Sequence, residues 1–156
     1  GNLLLNISSV IVGNTGGCSG PIWGTLFMRC GAASKGKTEL ALEDIIVMLK
    51  SAMEGIMLRG GAKIGDKTLL DALNVIVLSF EKAVEAGCDS LITAFEDAAN
   101  AAYEARETTK GWVARRGRQS FTGDRSIGTY DPGIVAIGDM AKAIAEALKE
   151  STIEII

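Results

Sequence analysis

Three stretches of this sequence have residue types and spacings suited to holding a phosphate. The first, Gly13-Asn-Thr-Gly-Gly-Cys-Ser-Gly-Pro21, is a glycine-dense loop that runs directly into the apolar pattern Ile22-Trp-Gly-Thr-Leu-Phe-Met28. Gly16, Gly17 and Gly20 allow backbone geometries closed to other residues, and Pro21 stands where a first helical residue would, its missing N–H being no loss there. Unpaired amides at such a helix start, backed by the positive end of its dipole, attract an anion. A plain turn capped by Ser19 explains the same residues equally well. The second stretch, Gly60-Gly-Ala-Lys-Ile-Gly-Asp-Lys-Thr68, comes close to a P-loop, but Asp66 precedes the Lys-Thr pair and a helical pattern precedes the glycines. It is therefore not a Walker motif. Its glycines could wrap a phosphate or ribose, and an interhelix turn capped by Asp66 is the plainer alternative. The third stretch carries Arg115, Arg116, Arg118 and Arg125, whose forked guanidinium donors suit phosphate oxygens and the charge that develops in phosphoryl transfer. Taken by itself, a solvated basic loop accounts for it.

The elements that must position these loops all read as helices. A first helix is predicted over about 2–12 and a second over 20–33, interrupted at Ser34-Lys-Gly-Lys37. A third spans about 39–58, with Leu42, Ile45, Ile46, Leu49, Met53, Ile56 and Met57 forming one apolar face and Glu39, Glu43 and Asp44 near its positive end. A fourth runs to Ala86 with Asp66 as its expected N-cap and Gly87 as its stop, and Asp89 or Ser90 opens a fifth that continues to about Lys110. From Gly111 to Tyr130 the helical period fails and a long polar loop is expected, of a length usually tied to function or disorder. Pro132 then starts a last helix through Ala136, Met140, Ile144 and Leu148. No strand pattern or internal repeat is present. Glycine-rich and cationic turns at helix ends can converge on one rim of a bundle, and that convergence is the expected source of function.

Composition narrows the classes. With 156 residues the expectation is one domain over 1–156, large enough to bury about two-thirds of its unfolded surface. Hydrophobic residues make up 47% but aromatic ones only 5%, so the core should be helices packed closely on small side chains. Sixteen basic against nineteen acidic residues give a net charge of -3, which argues against a nucleic-acid partner. Apolar runs such as Leu69–Leu73 and Val75–Leu78 are far shorter than the ~18 residues of a membrane span. Cys18, Cys30 and Cys88 are odd in number, widely spaced and unaccompanied by histidine, so reduced thiols in the cytoplasm are expected, with no metal site.

The motifs Gly17-Cys-Ser-Gly-Pro-Ile-Trp-Gly-Thr25 with Arg29, Gly65-Asp-Lys-Thr-Leu-Leu-Asp71, and Gly117-Arg-Gln-Ser-Phe-Thr-Gly-Asp-Arg-Ser-Ile-Gly128 leading to Asp131-Pro-Gly133 occur in one order. Together they resemble the nucleotide-binding L subunit of dihydroxyacetone (glycerone) kinase over essentially the whole chain. The resemblance implies an all-α antiparallel helical barrel with the nucleotide, ADP or ATP, held by loops at one end. It implies that Gly17, Cys18 and Ser19 approach the phosphates, with Cys18 replacing a small residue, and that Gly60 and Leu69 border the nucleotide, Leu69 standing where Met is common. Arg118 would reach the phosphates as the catalytic group, and Asp131, Pro132 and Gly133 would form the adenine side. The ketone would be held by a separate K subunit, the phosphate donor being either ATP or a phosphocarrier protein of the sugar phosphotransferase system. A homodimer is a further expected assembly.

One departure bears on the chemistry. The family places two helices joined by an acidic, magnesium-binding loop before the point where this sequence begins, and Asp66, Asp71 and Asp131 do not match those ligands. The expectation is an N-terminally incomplete L-type domain, a fragment or a divergent non-catalytic member, that binds ADP weakly and is inactive alone. Mg2+ is expected only with the aspartate loop. The competing expectation is a non-catalytic helical module that docks on a K-type subunit or a transcription regulator.

Overall fold

A computed structural model describes residues 1–153, which fold as two compact units, Gly1–Lys63 and a second beginning at Ile64. Among the described residues there are six α-helices, one 3-10 segment and no strand, so the all-α expectation holds.

The first unit contains α1 (Asn2–Asn14), α2 (Ser19–Ala33) and α3 (Leu42–Gly60). Helix α2 packs against both of the others. Small residues set how close they come: the buried Ser8 hydroxyl on α1 donates to the Gly24 carbonyl on α2 at 2.7 Å. On the far side of α2, a Cβ at Gly55 would lie 2.8 Å from Arg29 Nε and 2.9 Å from Thr25 Cγ2, so α3 approaches through a glycine. The predicted apolar face of α3 is realised, with Leu42, Ile46, Met53 and Ile56 buried. Its start is fixed by Asp44, whose Oδ2 accepts the Ala41 amide at 3.1 Å and whose Oδ1 takes Lys37 at 2.5 Å. Those bonds, the Lys37 one first, hold the Asp44 carboxyl below its ordinary pKa. Cys30 is buried in this unit, its thiol directed at the Met48 carbonyl, and burial pushes its pKa up to about 11. It is a core side chain and not a nucleophile.

The second unit packs α4 (Leu69–Glu85), α5 (Leu91–Lys110) and α6 (Pro132–Ile153) against one another. Ala94, Ala98 and Ala102 recur at every fourth position of α5 and are at most 1% exposed. That alanine stripe lets backbones come close, and Leu70, Leu73, Val77 and Phe80 of α4 with Ile134, Ile137 and Ala141 of α6 complete the core. Phe80 meets Phe95 edge to face at 4.9 Å. The caps of α4 differ from expectation: Thr68, not Asp66, is the N-cap, and the reciprocal partner is Asp71 in the first turn. Ser90 caps α5 as expected, and Pro132 begins α6.

The 111–130 stretch is not structureless. Residues Arg118–Ser126 form 3-10 turns, kinked at Gly123, and side-chain hydroxyls hold them: Ser120 donates to the Gly117 carbonyl, Thr122 to that of Gln119 and Ser126 to that of Gly123, each at 2.7 Å. Hydroxyl-to-backbone bonds replace a hydrophobic core here, which is why no apolar period announces the segment.

Candidate functional site

In the first unit the glycine loop joins α1 to α2. The helix starts at Ser19, so Ser19 is its first residue and not its cap; Cys18 holds the cap position and makes no side-chain cap bond. No hydroxyl therefore occupies the amides of the first turn as an N-cap would, and an α-helix leaves those amides without intrahelical partners. Gly17 lies at φ 67°, a left-handed conformation that favours glycine, and Cys18 and Ser19 are exposed beside it. Gly20 is required for a second reason: a Cβ there would overlap the Thr15 carbonyl oxygen. Gly20→Ala is accordingly expected to cost about 1 to 3 kcal/mol, read from urea unfolding of a Trp112→Phe background in which Trp23 reports. An unchanged midpoint would show that the loop adapts freely. Gly60, at the end of α3, lies against the start of α2, where a Cβ would come within 3.0 Å of Ile22 Cδ1. Next to it, Arg59 Nη1 donates to Thr25 Oγ1 at 3.3 Å. The structure thus brings Gly17, Cys18, Ser19 and Gly60 to the two termini of one helix pair.

In the second unit the loops before α4, after α5 and before α6 form one cluster. Asp131 caps α6 through the Ile134 amide, which donates to Oδ1 at 3.0 Å. Gly133 is seated on Leu69: a Cβ there would lie 3.1 Å from Leu69 Cβ and 3.0 Å from Asp131 Oδ1. A Cβ there would be tighter than ordinary contact, so Asp131, Pro132 and Gly133 form a turn laid closely against the first residue of α4. Burial, the largest influence, raises the pKa of Asp131, Asp71 nearby adds to the rise, and the Ile134 and Gly133 amides oppose it. Arg118 opens the 3-10 segment and is exposed. Its neighbour Gln119 donates through Nε2 to Thr129 Oγ1 at 2.7 Å and to the Tyr130 carbonyl at 3.1 Å, which ties the Arg118 turn to the residues just before Asp131.

Two residues that sequence reasoning passed over hold this cluster together. Asp71 is 4% exposed, and its oxygens accept the Gly65 amide at 2.6 Å and the Thr68 amide at 2.8 Å. Lys67 is 0% exposed, with its ammonium directed into the 111–130 loop. The signal for Asp71 was its place three residues after Thr68; for Lys67 it was a lysine in a glycine turn, read instead against the P-loop pattern. A groove of about 500 Å3 between α5 and α6 is walled by Glu96, Asp97, Tyr103, Lys142 and Glu146, and includes none of the predicted site residues.

The chain matches the DAK2 domain over residues 1–146. It belongs to the DAK2 domain family. This DAK2 domain is 36% identical over 96% of its length to the PEP-dependent dihydroxyacetone kinase ADP-binding subunit DhaL of Escherichia coli, covering 71% of that protein. It is 34% identical over 96% of its length to the corresponding subunit of kinase 2 of Listeria innocua, covering 68% of it. A third relative, the L-erythrulose 1-kinase of Mycolicibacterium smegmatis, is 36% identical over 85% of this chain, which covers 23% of that larger protein. Among the described residues no group of three or more His, Cys, Asp or Glu is placed to hold a metal. Asp71 and Asp131 are engaged with backbone amides, and Asp66 Oδ2 lies 3.9 Å from Arg116 Nε. No helix among the described residues is long and apolar enough to cross a membrane.

Proposed function

We propose that this chain, as one L-type domain over 1–156, is the nucleotide-binding component of a dihydroxyacetone kinase. The observation that carries the reading is the Asp131-Pro-Gly133 turn seated on Leu69 and tied through Gln119 to the segment that Arg118 opens, because it gathers an apolar side chain and the root of a guanidinium into one loop cluster. Relatives named as ADP-binding subunits of that kinase support it. When bound, the nucleotide supplies or relays the phosphoryl group that passes to a hydroxyl of the ketose.

The chain's own part is positioning and charge neutralisation, the dominant contributions in phosphoryl transfer. The first-turn amides of α2 at Ser19 and Gly20, with the helix dipole, bind phosphate oxygens, and Gly17 and Cys18 let the backbone approach them. Gly60 and Leu69 border the nucleotide, Leu69 presenting apolar surface to the base, with Asp131, Pro132 and Gly133 on its adenine side. Arg118 offers two parallel N–H donors to the phosphates and stabilises charge as it develops there. The ketone is held by a K-type subunit, with a phosphocarrier protein or ATP as donor, and the setting is the cytoplasm.

Calorimetric titration of the chain with ADP, with and without magnesium, tests the reading. Saturable heat that weakens in Arg118→Ala is expected. Absence of any saturable heat up to millimolar ADP, in the presence of the K subunit as well, would remove the proposal.

A further inference from the structure

Lys67 combines four features that a solvent-facing turn lysine lacks. It is completely buried. It has φ 62°, and among the described residues it is the one non-glycine side chain in the left-handed region. Its ammonium donates to three backbone carbonyls, those of Ser126 at 2.8 Å, Trp112 at 3.0 Å and Lys110 at 3.4 Å. These acceptors lie 59, 45 and 43 residues away along the chain. Three donors on three carbonyls fill the hydrogen-bonding capacity of an ammonium group. Burial drags its pKa below the ordinary lysine value, while Asp131 pulls it back up.

The carbonyls have a common origin. Lys110 is the last residue of α5, where helical carbonyls run out of partners and the dipole is negative, so a cation there is stabilised. Ser126 is the last residue of the 3-10 segment that Arg118 opens. Lys67 therefore clamps the end of α5 to the far end of the Arg118 segment, and neighbouring bonds run parallel to it: the Gly128 amide donates to the Lys110 carbonyl at 2.8 Å, the Ala114 amide to Ser126 Oγ at 2.9 Å, and the Arg115 amide to the Asp66 carbonyl at 3.0 Å. A loop built this way has polar bonds where a core would be, and its central node is one ammonium group.

We infer that Lys67 is a positioning residue: its ammonium, caged by the carbonyls of Lys110, Trp112 and Ser126, sets the Arg118 segment in the geometry that a nucleotide diphosphate uses. The inference rests on the nucleotide reading for its ligand but not for the clamp. A lysine-threonine pair after a glycine turn thus serves here from beneath the loop, through carbonyls, and not by touching phosphate.

The test uses the strained backbone. Glycine tolerates φ 62°, so Lys67→Gly removes the side chain without opposing the turn, and n-butylammonium restores the missing atoms. Amide hydrogen exchange should show protection at Ala114 and Gly128 falling at least tenfold in Lys67→Gly, with the α5 amides of Ala98 and Ala102 unchanged. Millimolar n-butylammonium should recover it and n-butanol should not. ADP affinity should fall at least tenfold and recover with the same additive. Lys67→Met, which keeps the bulk but not the charge, should behave like the unrescued glycine variant. Equal recovery with butanol, no recovery with either compound, or unchanged ADP affinity despite an opened loop overturns the role of Lys67. A wild-type chain with a protected loop that takes up no ADP overturns the nucleotide reading and leaves the clamp standing. If α5 loses protection as well, recovery by butylammonium alone still supports the inference, and its failure rejects it.

Discussion

Replacing Arg118 by alanine lowers phosphoryl transfer to dihydroxyacetone by at least about 100-fold when a form that also carries the family's aspartate loop is assayed with Mg2+ and its K-type partner, because one preorganised charged donor at developing negative charge is worth that much. The side chain is exposed at the head of a tethered 3-10 segment, so its removal leaves no buried group unpaired. The loss should appear in the rate with little change in unfolding midpoint. Arg118→Lys should recover only part of it, since lysine keeps the charge but not the parallel pair of N–H donors. A rate within threefold of wild type would mean that Arg118 faces no phosphate. Such a result would return the third loop to the plain solvated reading.

The second large effect falls on stability. Asp71→Ala is expected to cost about 3 kcal/mol, because the amides of Gly65 and Thr68 both lose the charged acceptor supplied by a carboxylate that is only 4% exposed. Asp71→Asn retains one acceptor oxygen and should lose about half as much. Urea unfolding followed by circular dichroism measures both, and a cost under about 1 kcal/mol for the alanine variant would show that the turn finds other partners. The loss should spread to the loop cluster. Gly65 to Thr68 carries Lys67 and the Asp66 carbonyl that accepts the Arg115 amide, so loosening the turn loosens both ties to the arginine segment.

Much of the architecture was legible in the chain. The spacing of Leu42, Ile46, Met53 and Ile56 sets a helix face whatever its partner is, and Ser90, Gly87 and Pro132 act through local backbone chemistry. Hence those helix ends fell where expected. The start of α4 did not, because Asp66 and Thr68 are both good caps and only the Asp71 carboxylate, reaching back to Thr68 and Gly65, chooses between them. The 111–130 segment was illegible for a related reason. Its order comes from hydroxyls and one ammonium bonding to carbonyls, and such bonds impose no hydrophobic period.

Sequence alone determined the helical class, the three candidate phosphate loops, and the resemblance that named Arg118 and the Asp131-Pro-Gly133 turn. These depend on local propensity and on motif order, both of which a linear string contains. Only tertiary structure decided that Gly133 rests on Leu69, that Gly20 has no room for a Cβ, and that Lys67 points inward to carbonyls more than 40 residues away. The Leu69 and Lys67 contacts join residues distant along the chain and the Gly20 one depends on how its loop folds back on Thr15, and the free energy of such contacts resides in packing and desolvation that no residue carries alone.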